Sequence, residues 1–306
     1  MESSFEKINR ISSPDLDQIL GEPFKVLDDG FVRVIDYMGS DEAIVQAARV
    51  SYGKGTKKLQ EDRGLIRYLL RHKHTTPFEM CEIKLHVRVP MDTWRQWIRH
   101  RTANVNEYST RYSLAIDSTQ TTLPDEWRMQ STGNRQGSSE NFSLELGSKF
   151  SEQEKSLHEY SSKIYQERID SGMAREQARK DLPLATYTEA YWKVDLHNLL
   201  HFLALRMDSH AQLEVRKYAI CIGEEIVKKW CPITWEAFLD YIYHGTSLTK
   251  LDMEIIKLIN SGDTDGAIKK ATEFGLLNED KTIPKKSRER EELEEKLHEM
   301  SISIPW

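Results

Sequence analysis

The segment CEIKLHVRV, from Cys81 to Val89, alternates apolar and polar side chains at every position. Successive side chains of a β-strand point to opposite faces, so this pattern predicts a strand with one face in a hydrophobic core. Pro90 ends the strand, because proline has no backbone N–H to donate to a neighbouring strand. The segment therefore predicts that the core of this chain contains a β-sheet.

The residues before this strand predict one more strand and two helices. Phe31–Met38 has the composition of a strand, Asp41 can cap a helix, and Leu59–Lys73 places leucine and isoleucine at helical spacing. The Thr76-Pro77 pair disfavours a continuing helix, because the residue before a proline avoids the helical region. We therefore expect a structured loop at His74–Glu79.

The residues after the strand predict further helices and a second extended segment. A short helix is expected through Trp94 and Trp97, and the run LATYTEAYWKV after Pro183 favours a strand. The region Asp117–Ser148 is rich in Ser, Thr, Gln, Asn and Gly, which is typical of a loop. Further helices are predicted at Gln153–Asp170, Arg175–Lys180, His197–Met207 and Ser209–Lys229. The fold class is α/β: a mixed sheet with flanking helices, in a single large domain with N- and C-terminal extensions.

Changes in composition predict three regions along the chain. Residues 1–27 form a polar leader, residues 28–245 form the main domain, and residues 246–306 form a helical, charged extension. The run KKSREREELEEKLHEM near the end predicts a solvated helix held by ion pairs one turn apart. A contact with another subunit through Leu293, Leu297 and Met300 stays open.

Charge and cysteine content exclude several classes of protein. The 306 residues contain 43 Lys and Arg against 49 Asp and Glu, a formal net charge of −6, so the chain lacks the positive field of a general nucleic-acid binder. Cys81, Cys221 and Cys231 form no CxxC pair, which favours a reducing compartment. Neither an export signal nor a long apolar run is present, so we expect a cytoplasmic protein without membrane contact.

The most unusual segment is RHRTANVNEYSTRY, from Arg99 to Tyr112, which contains almost no aliphatic residue. The guanidinium groups of Arg99, Arg101 and Arg111 alternate with hydrogen-bonding side chains. A guanidinium is a planar group of donors that matches phosphate oxygens two at a time, so this segment predicts a site for a phosphorylated ligand. It should lie on the end of a helix and the loop that follows.

Four separated segments together resemble one family. They are Ser51 in AARVSYG, the loop His74–Glu79, the arginine segment with Gln96 before it, and LRMDSHAQLE from Leu205 to Glu214. The pattern Arg-His-Arg, seven residues, then Ser is the signature of the flavin-dependent thymidylate synthases, and the chain resembles this family over roughly Asp28 to Gly245. In this signature Asn104 stands where serine is usual.

The resemblance implies a binding site for dUMP. Arg111 and Arg179 would neutralise its phosphate, with Arg179 reaching over from a neighbouring subunit, and Ser109 would bind close to the phosphate. Arg206 would be catalytic, because a fixed positive charge beside the imide favours an enolate-like pyrimidine. The implied dUMP residues are Gln96, Trp97, Ile98, Arg99, Glu107, Tyr108, Ser109, Thr110, Arg111, Arg179 and Arg206.

The resemblance also implies a site for FAD. Asp195 and His197 stand where at least one relative has Asn and Arg. His74 and Tyr112 would stack on the flat rings of the folate or the flavin. The implied FAD residues are Ser51, Thr76, Arg99, His100, Arg101, Glu107, Asp195, His197 and His201.

The implied reaction is the reductive methylation of dUMP to dTMP. Methylenetetrahydrofolate would supply the carbon, FAD reduced by NADPH would carry the hydride, and tetrahydrofolate would be released. The family further implies a homotetramer with active sites shared between subunits. No protein nucleophile is required: no cysteine has a setting that lowers its pKa, and Ser109 is better interpreted as a substrate-binding residue.

Two other functions are less well supported by the residues. The helix HNLLH places His197 and His201 one turn apart, as in a zinc hydrolase, with Asp208 and His210 as further ligands, but Asn198 stands where the general-base glutamate belongs. We therefore predict no metal. An RNA-binding module using the basic segment is disfavoured by the net charge and by the absence of a recognisable nucleic-acid fold.

Overall fold

The structure is a computed structural model that describes residues 9–50, 59–131 and 137–306. Ser51, implied above as a flavin ligand, lies outside these residues. The chain divides into two compact units, Met1–Tyr243 and His244–Trp306. The first unit contains the sheet and the arginine segment, so it contains the candidate site.

The sheet of the first unit has five strands in the order β1-β2-β3-β7-β4. The CEIKLHVRV segment forms β3 at its centre, and each pair of neighbouring strands is antiparallel. An isolated bridge between Leu20 and Val34 is parallel. A separate two-stranded sheet pairs β5 with β6. The strands are β1 (Phe24–Val26), β2 (Gly30–Met38), β3 (Glu82–Pro90), β4 (Asn104–Glu107), β5 (Arg128–Gln130), β6 (Ser138–Asn141) and β7 (Tyr187–Asp195).

Helices flank the sheet and also form the whole second unit. Within the described residues, none of them is both long and apolar enough to cross a membrane. The α-helices of the first unit are α1 (Pro14–Asp17), α2 (Asp41–Val50), α3 (Leu59–Arg71), α4 (Thr76–Glu79), α5 (Met91–Trp97), α6 (Leu144–Asp170), α7 (Arg175–Ala178), α8 (Leu196–Arg206), α9 (Leu213–Cys221), α10 (Lys228–Trp230) and α11 (Pro232–Phe238). A 3-10 turn spans Arg179–Asp181, and π-helical segments span Ile222–Val227 and Leu239–Tyr243. The predicted α/β class, a sheet with flanking helices, is confirmed.

An aromatic cluster joins the sheet to the helices that carry the site. The Trp97 ring, on α5, lies 5.3 Å from that of Trp192 on β7, 5.0 Å from Phe202 on α8 and 5.7 Å from Tyr218 on α9. Trp97, Trp192, Phe202 and Tyr218 are fully buried. Burial of such large rings dominates the energy of a core. The cluster thus holds the end of α5, where the arginine segment begins, against the sheet.

The alternation that predicted β3 is confirmed by burial. Ile83, Leu85, Val87 and Val89 are at most 1% exposed, while the residues between them are half-buried on the opposite face. The strand pairs with β2 on one side and β7 on the other. A strand between two others makes backbone hydrogen bonds on both edges, so neither edge of β3 is left unpaired.

Four local predictions differ from the structure. The loop expected at His74–Glu79 includes the short helix α4, in which Pro77 occupies the first turn, where proline is tolerated. The arginine segment contains a strand, β4, whose four residues are all exposed and so lack an apolar alternation. The Asp117–Ser148 region contains the β5–β6 pair, and α6 begins at Leu144.

The fourth difference concerns the Asp41 carboxylate. It accepts hydrogen bonds from the backbone N–H groups of Ile233 (2.8 Å) and Thr234 (3.1 Å), at the start of α11, and from the Thr234 hydroxyl (2.6 Å). The first N–H groups of any helix lack intrahelical partners. Asp41 therefore caps a helix that lies about two hundred residues later in the sequence.

The second unit consists of α12 (Lys250–Asn260), α13 (Thr264–Glu273) and α14 (Arg288–Glu299). Leu293 and Leu297 are at most 1% exposed and belong to a hydrophobic cluster made of residues of this unit alone. These two leucines are therefore used inside the unit, whereas Met300 is 39% exposed. A partly buried ion pair between Lys296 and Asp252 (2.8 Å) adds to the packing.

Candidate active site

A cavity of about 910 Å³ opens beside the arginine segment. Gln96 and Arg99 reach it from the end of α5, and Arg206 reaches it from the last turn of α8. The loop and helix that follow, from Ser209 to Arg216, form a second wall, and residues from 120–130 and 137–138 contribute a third. The cavity is large enough for a nucleotide.

Arg206 is half-buried at this cavity. Its Nη2 donates a hydrogen bond to the carbonyl oxygen of Gln96 at 3.0 Å, and its Nε is buried without a hydrogen-bond partner in the described part of the chain. Burial and the charge of Arg99 lower the pKa of Arg206, although a guanidinium stays charged at neutral pH. Two like charges at one cavity are stabilised when an anionic or electron-rich ligand binds between them.

The far end of the arginine segment forms an exposed, basic turn. Arg111 pairs with Glu176 at 3.1 Å, and both side chains are more than half exposed, so the pair contributes little to stability. Arg179 donates to the Thr110 hydroxyl of the same chain, and Arg175 donates to the Tyr112 carbonyl. Arg111, Arg179 and Thr110 are thus brought together, as a phosphate site requires.

Other residues implied for dUMP have structural tasks. The Trp97 side chain is fully buried, and Ile98 packs against the core, so neither side chain lines the cavity. The Glu107 carboxylate accepts a hydrogen bond from the Thr188 hydroxyl at 2.9 Å, and the Tyr108 hydroxyl donates to the Leu114 carbonyl. The Ser109 carbonyl accepts from the backbone of Tyr112 and Ser113, which closes a turn.

His100 lies behind the cavity among aromatic rings. Its ring is 5.5 Å from that of His201 and 5.6 Å from that of Phe202, and its Nε2 lies 3.0 Å from the Thr102 hydroxyl. Burial, followed by the nearby His201 and the positive charge of Arg206, lowers the pKa of His100. The imidazole is therefore neutral at neutral pH.

A smaller cavity, of about 370 Å³, lies on the other side of the arginine segment. It brings Arg101 and Asn104 of the arginine segment together with Asp195, which lies about ninety residues later in the sequence. The Asp195 carboxylate caps α8 by accepting from the Asn198 backbone (2.9 Å) and amide (2.7 Å). A guanidinium and amide groups at one opening suit a ligand that accepts hydrogen bonds. His197 does not line this cavity.

Two of the remaining residues implied for cofactor contact, Thr76 and His74, lie at α4, and the third, Tyr112, ends the arginine segment. Thr76 begins α4, and His74 is exposed just before it, with its ring stacked 5.9 Å from that of Tyr68. Tyr112 is 79% exposed. Exposed rings of this kind are available for stacking on a flat ligand.

The structure does not support the zinc-hydrolase alternative. Within residues 9–50, 59–131 and 137–306, no three His, Cys, Asp or Glu side chains are grouped to hold a metal ion. The His201 ring faces His100, and Asp208 bonds to His210 at 2.9 Å. A catalytic zinc requires three convergent protein ligands, which the HNLLH helix does not supply here.

Several residues at the large cavity are not evident from the sequence. Asp92 lies one helical turn before Gln96, and this spacing was the only available signal for it. Gln212 lies inside the LRMDSHAQLE segment, but its contact with Asp92 is not evident there, and Arg128 carries no sequence signal. Glu214 ends the LRMDSHAQLE segment, but its partner Arg128 is 86 residues away.

Comparisons with known proteins agree with this geometry. A family model described as "Thymidylate synthase complementing protein" matches residues 33–233. A flavin-dependent thymidylate synthase of Wolbachia pipientis wMel is 51% identical over 261 residues, covering 84% of this chain and 90% of the relative. One of Rickettsia bellii is 50% identical over 267 residues, covering 83% and 90%.

A solved structure adds the likeness of fold. The UMP/dUMP methylase PolB from Streptomyces cacaoi, bound with 5-Br dUMP, is 31% identical with a TM-score of 0.65, covering 72% of this chain and 99% of that one. The sequence motif, the arginine-lined cavity and these relatives lead to one conclusion. The chain belongs to the flavin-dependent thymidylate synthase family, whose members are methyltransferases.

Proposed function

We propose that this enzyme converts dUMP to dTMP by reductive methylation. Methylenetetrahydrofolate supplies the carbon, FAD reduced by NADPH supplies the hydride, and tetrahydrofolate is released. The observation that carries the proposal is Arg206: a half-buried guanidinium, oriented by the Gln96 carbonyl beside Arg99, with a buried Nε that has no partner in the described residues. The named relatives support dUMP as the substrate.

The exposed basic turn binds the nucleotide phosphate in this proposal. Among the described residues, Arg111 is held by a solvent-exposed pair with Glu176, so a dianionic phosphate can replace the glutamate at small cost. Arg179 lies at the same turn through Thr110. We propose that Arg179 also serves the site of a neighbouring subunit, in a homotetramer, and that the enzyme acts in the cytoplasm.

Arg206 activates the pyrimidine. A positive charge held against the imide stabilises the negative charge that develops on the ring when its carbon attacks the one-carbon unit. A cysteine nucleophile is not needed and not available. Cys81 and Cys231 are fully buried, and burial raises the pKa of Cys221 to about 11, so none of these thiols is an accessible thiolate.

The residues around the smaller cavity fit the flavin. Arg101, Asn104 and Asn198 offer donors at one opening, and the His100 ring lies 5.5 Å from the ring of His201 on α8. When bound there, the flavin supplies hydride chemistry. Arg101 binds and orients it through charge-assisted hydrogen bonds, and Asp195 fixes the helix end on which His201 stands. Thr76, His74 and Tyr112 are proposed to complete the cofactor and folate contacts.

The test is a reconstituted reaction. Purified, flavin-loaded protein with NADPH, methylenetetrahydrofolate and dUMP should yield dTMP, measured by chromatography, and no dTMP should form when any one of these three compounds is omitted or the flavin is removed. NADPH alone should bleach the flavin absorption under anaerobic conditions. Since PolB is a methylase of both UMP and dUMP, UMP is included as a competing substrate. Absence of dTMP with the complete mixture, despite bound flavin, would reject the proposed function.

A further inference from the structure

The wall of the large cavity contains carboxylates as well as arginines. Four carboxylates line it, those of Asp92, Glu126, Glu154 and Glu214, together with the guanidinium groups of Arg99, Arg128, Arg206 and Arg216. A negative wall opposes a phosphorylated ligand, because like charges repel across a partly solvated cavity. Each ion pair that cancels one of these carboxylates therefore makes the cavity more attractive to an anion, and Lys217 does so for Glu126 at 3.0 Å.

The negative charge of Glu214 is cancelled by the positive charge of Arg128, which lies on strand β5. The Arg128 Nη2 donates to Glu214 Oε1 at 2.7 Å, and the two side chains are only 23% and 16% exposed. The ion pair with Arg128 contributes to a pKa of Glu214 below its usual range, so this carboxylate is ionised at neutral pH. In the absence of Arg128, a full negative charge would face the cavity.

Asp92 belongs to the same hydrogen-bonded chain. The Gln212 amide donates to Asp92 Oδ2 at 3.3 Å and also bonds to the Glu214 side chain. Burial, with a contribution from Glu214, raises the pKa of Asp92. The chain Arg128–Glu214–Gln212–Asp92 therefore runs along one wall, and Arg128 is its only cation.

We propose that Arg128 is a specificity-determining residue of the nucleotide site: by cancelling Glu214 it makes the field around Arg99 and Arg206 more positive, and so favours a phosphorylated ligand over an uncharged nucleoside. This inference rests on the proposed function, because it takes dUMP as the ligand. It gives the polar region around β5, which carries no family motif, a role in ligand selection.

The test compares variants that break the same ion pair from opposite sides. Arg128→Met leaves the negative charge, so dUMP binding by the flavin-loaded protein should weaken about tenfold, the size expected for one added charge across a partly solvated cavity. Glu214→Gln leaves the positive charge, so dUMP should bind at least as tightly as to the parent. A purely structural role predicts that both variants weaken binding. The opposite signs are therefore the decisive result.

Further variants separate charge from folding. Arg128→Lys and the double variant Arg128→Met with Glu214→Gln should bind dUMP within about twofold of the parent, because neither leaves an uncancelled charge. The loss in Arg128→Met should shrink as salt rises, and binding of deoxyuridine should not change. Lys296→Met is the matched control for net charge. It also removes one positive charge and leaves a carboxylate, that of Asp252, without its cation, but in the second unit.

Isothermal titration calorimetry with dUMP and deoxyuridine gives each affinity, and thermal melting reports folding. Equal dUMP affinity of the parent and Arg128→Met would overturn the inference and leave the proposed function intact. Weaker binding by Glu214→Gln, or a double variant as weak as Arg128→Met, would also overturn it. A flavin-loaded parent that does not bind dUMP would instead reject the proposed function itself, and this inference with it.

Discussion

Arg206 shows how a single side chain acquires a chemical task from its surroundings. Its helix ends at the cavity, the Gln96 carbonyl holds one amino group, and Arg99 stands nearby as a second positive charge. Such preorganised charge is most effective in a site where water is partly excluded. The sequence motif indicated Arg206, but its partner Gln96 carbonyl is visible only in the structure.

Replacing Arg206 with alanine removes this charge without touching the smaller cavity. We expect dTMP formation to fall by at least about a hundredfold, the usual cost of losing one such stabilising group, while FAD remains bound. The assay is single-turnover dTMP formation, with flavin content measured by absorbance. Turnover close to that of the parent would show that Arg206 has no activating role.

Arg111 belongs to the exposed turn, so its replacement should affect a different ligand. Arg111→Ala is expected to weaken dUMP binding by about tenfold to a hundredfold, because a charge-assisted contact to phosphate is lost. FAD affinity should change far less. Equal losses in titrations with dUMP and with FAD would contradict the assignment to the phosphate.

His100 links protonation to stability. Burial, His201 and Arg206 lower its pKa below 6.5 in the folded protein, so below about pH 6.5 the unfolded chain binds a proton that the folded chain does not. This contribution to stability is lost as the pH falls. We expect the free energy of unfolding to drop between about pH 7.5 and about pH 5.5, and to drop less in His100→Gln, as measured by urea denaturation. Identical slopes would contradict this prediction.

At the scale of elements, the strands and helices that have one apolar face could be predicted from the sequence. β3 was recognised by its strict alternation, and α5 by its two tryptophans. β4 was missed because all four of its residues are exposed and it is a strand only through pairing with β7. The β5–β6 pair was missed for the same reason, since its composition is that of a loop.

The Asp41 side chain links α2 to the start of α11. Asp41 accepts three hydrogen bonds at the start of α11, and burial raises its pKa. Asp41→Ala leaves these donors without a partner, so the free energy of unfolding should fall by about 2 kcal/mol. Asp41→Asn, which keeps an acceptor, should lose less. Denaturant unfolding of both variants measures the difference, and equal stability of Asp41→Ala and the parent would show that water replaces the cap.

At the scale of the molecule, the two compact units have separate hydrophobic clusters. The cluster of the first unit draws its residues from the chain up to Tyr243, and that of the second from Leu251 onward. The cavity residues Gln96, Arg99 and Arg206 all belong to the first unit. We therefore propose that the second unit is dispensable for the local structure of the site.

A chain that ends after Gly245 tests this view. Its circular dichroism spectrum should be that of a folded α/β protein, because the hydrophobic cluster of the first unit loses no residue. For the same reason it should retain FAD. Flavin content after gel filtration is the measurement, with the full chain run alongside. Loss of both flavin and the native oligomer would show that the second unit supports the site.

The sequence by itself determined the α/β class, the central strand, the arginine segment and the family, because these depend on local periodicity and on residues adjacent in the chain. Only the tertiary structure decided that Asp41 caps α11, that β4 is a strand, and that Arg128 lies against Glu214 at the cavity. Each of these depends on contacts between residues far apart in the sequence. Bringing such distant residues together costs chain entropy, which is offset by burial in the whole core. A local pattern of residues therefore cannot predict these contacts.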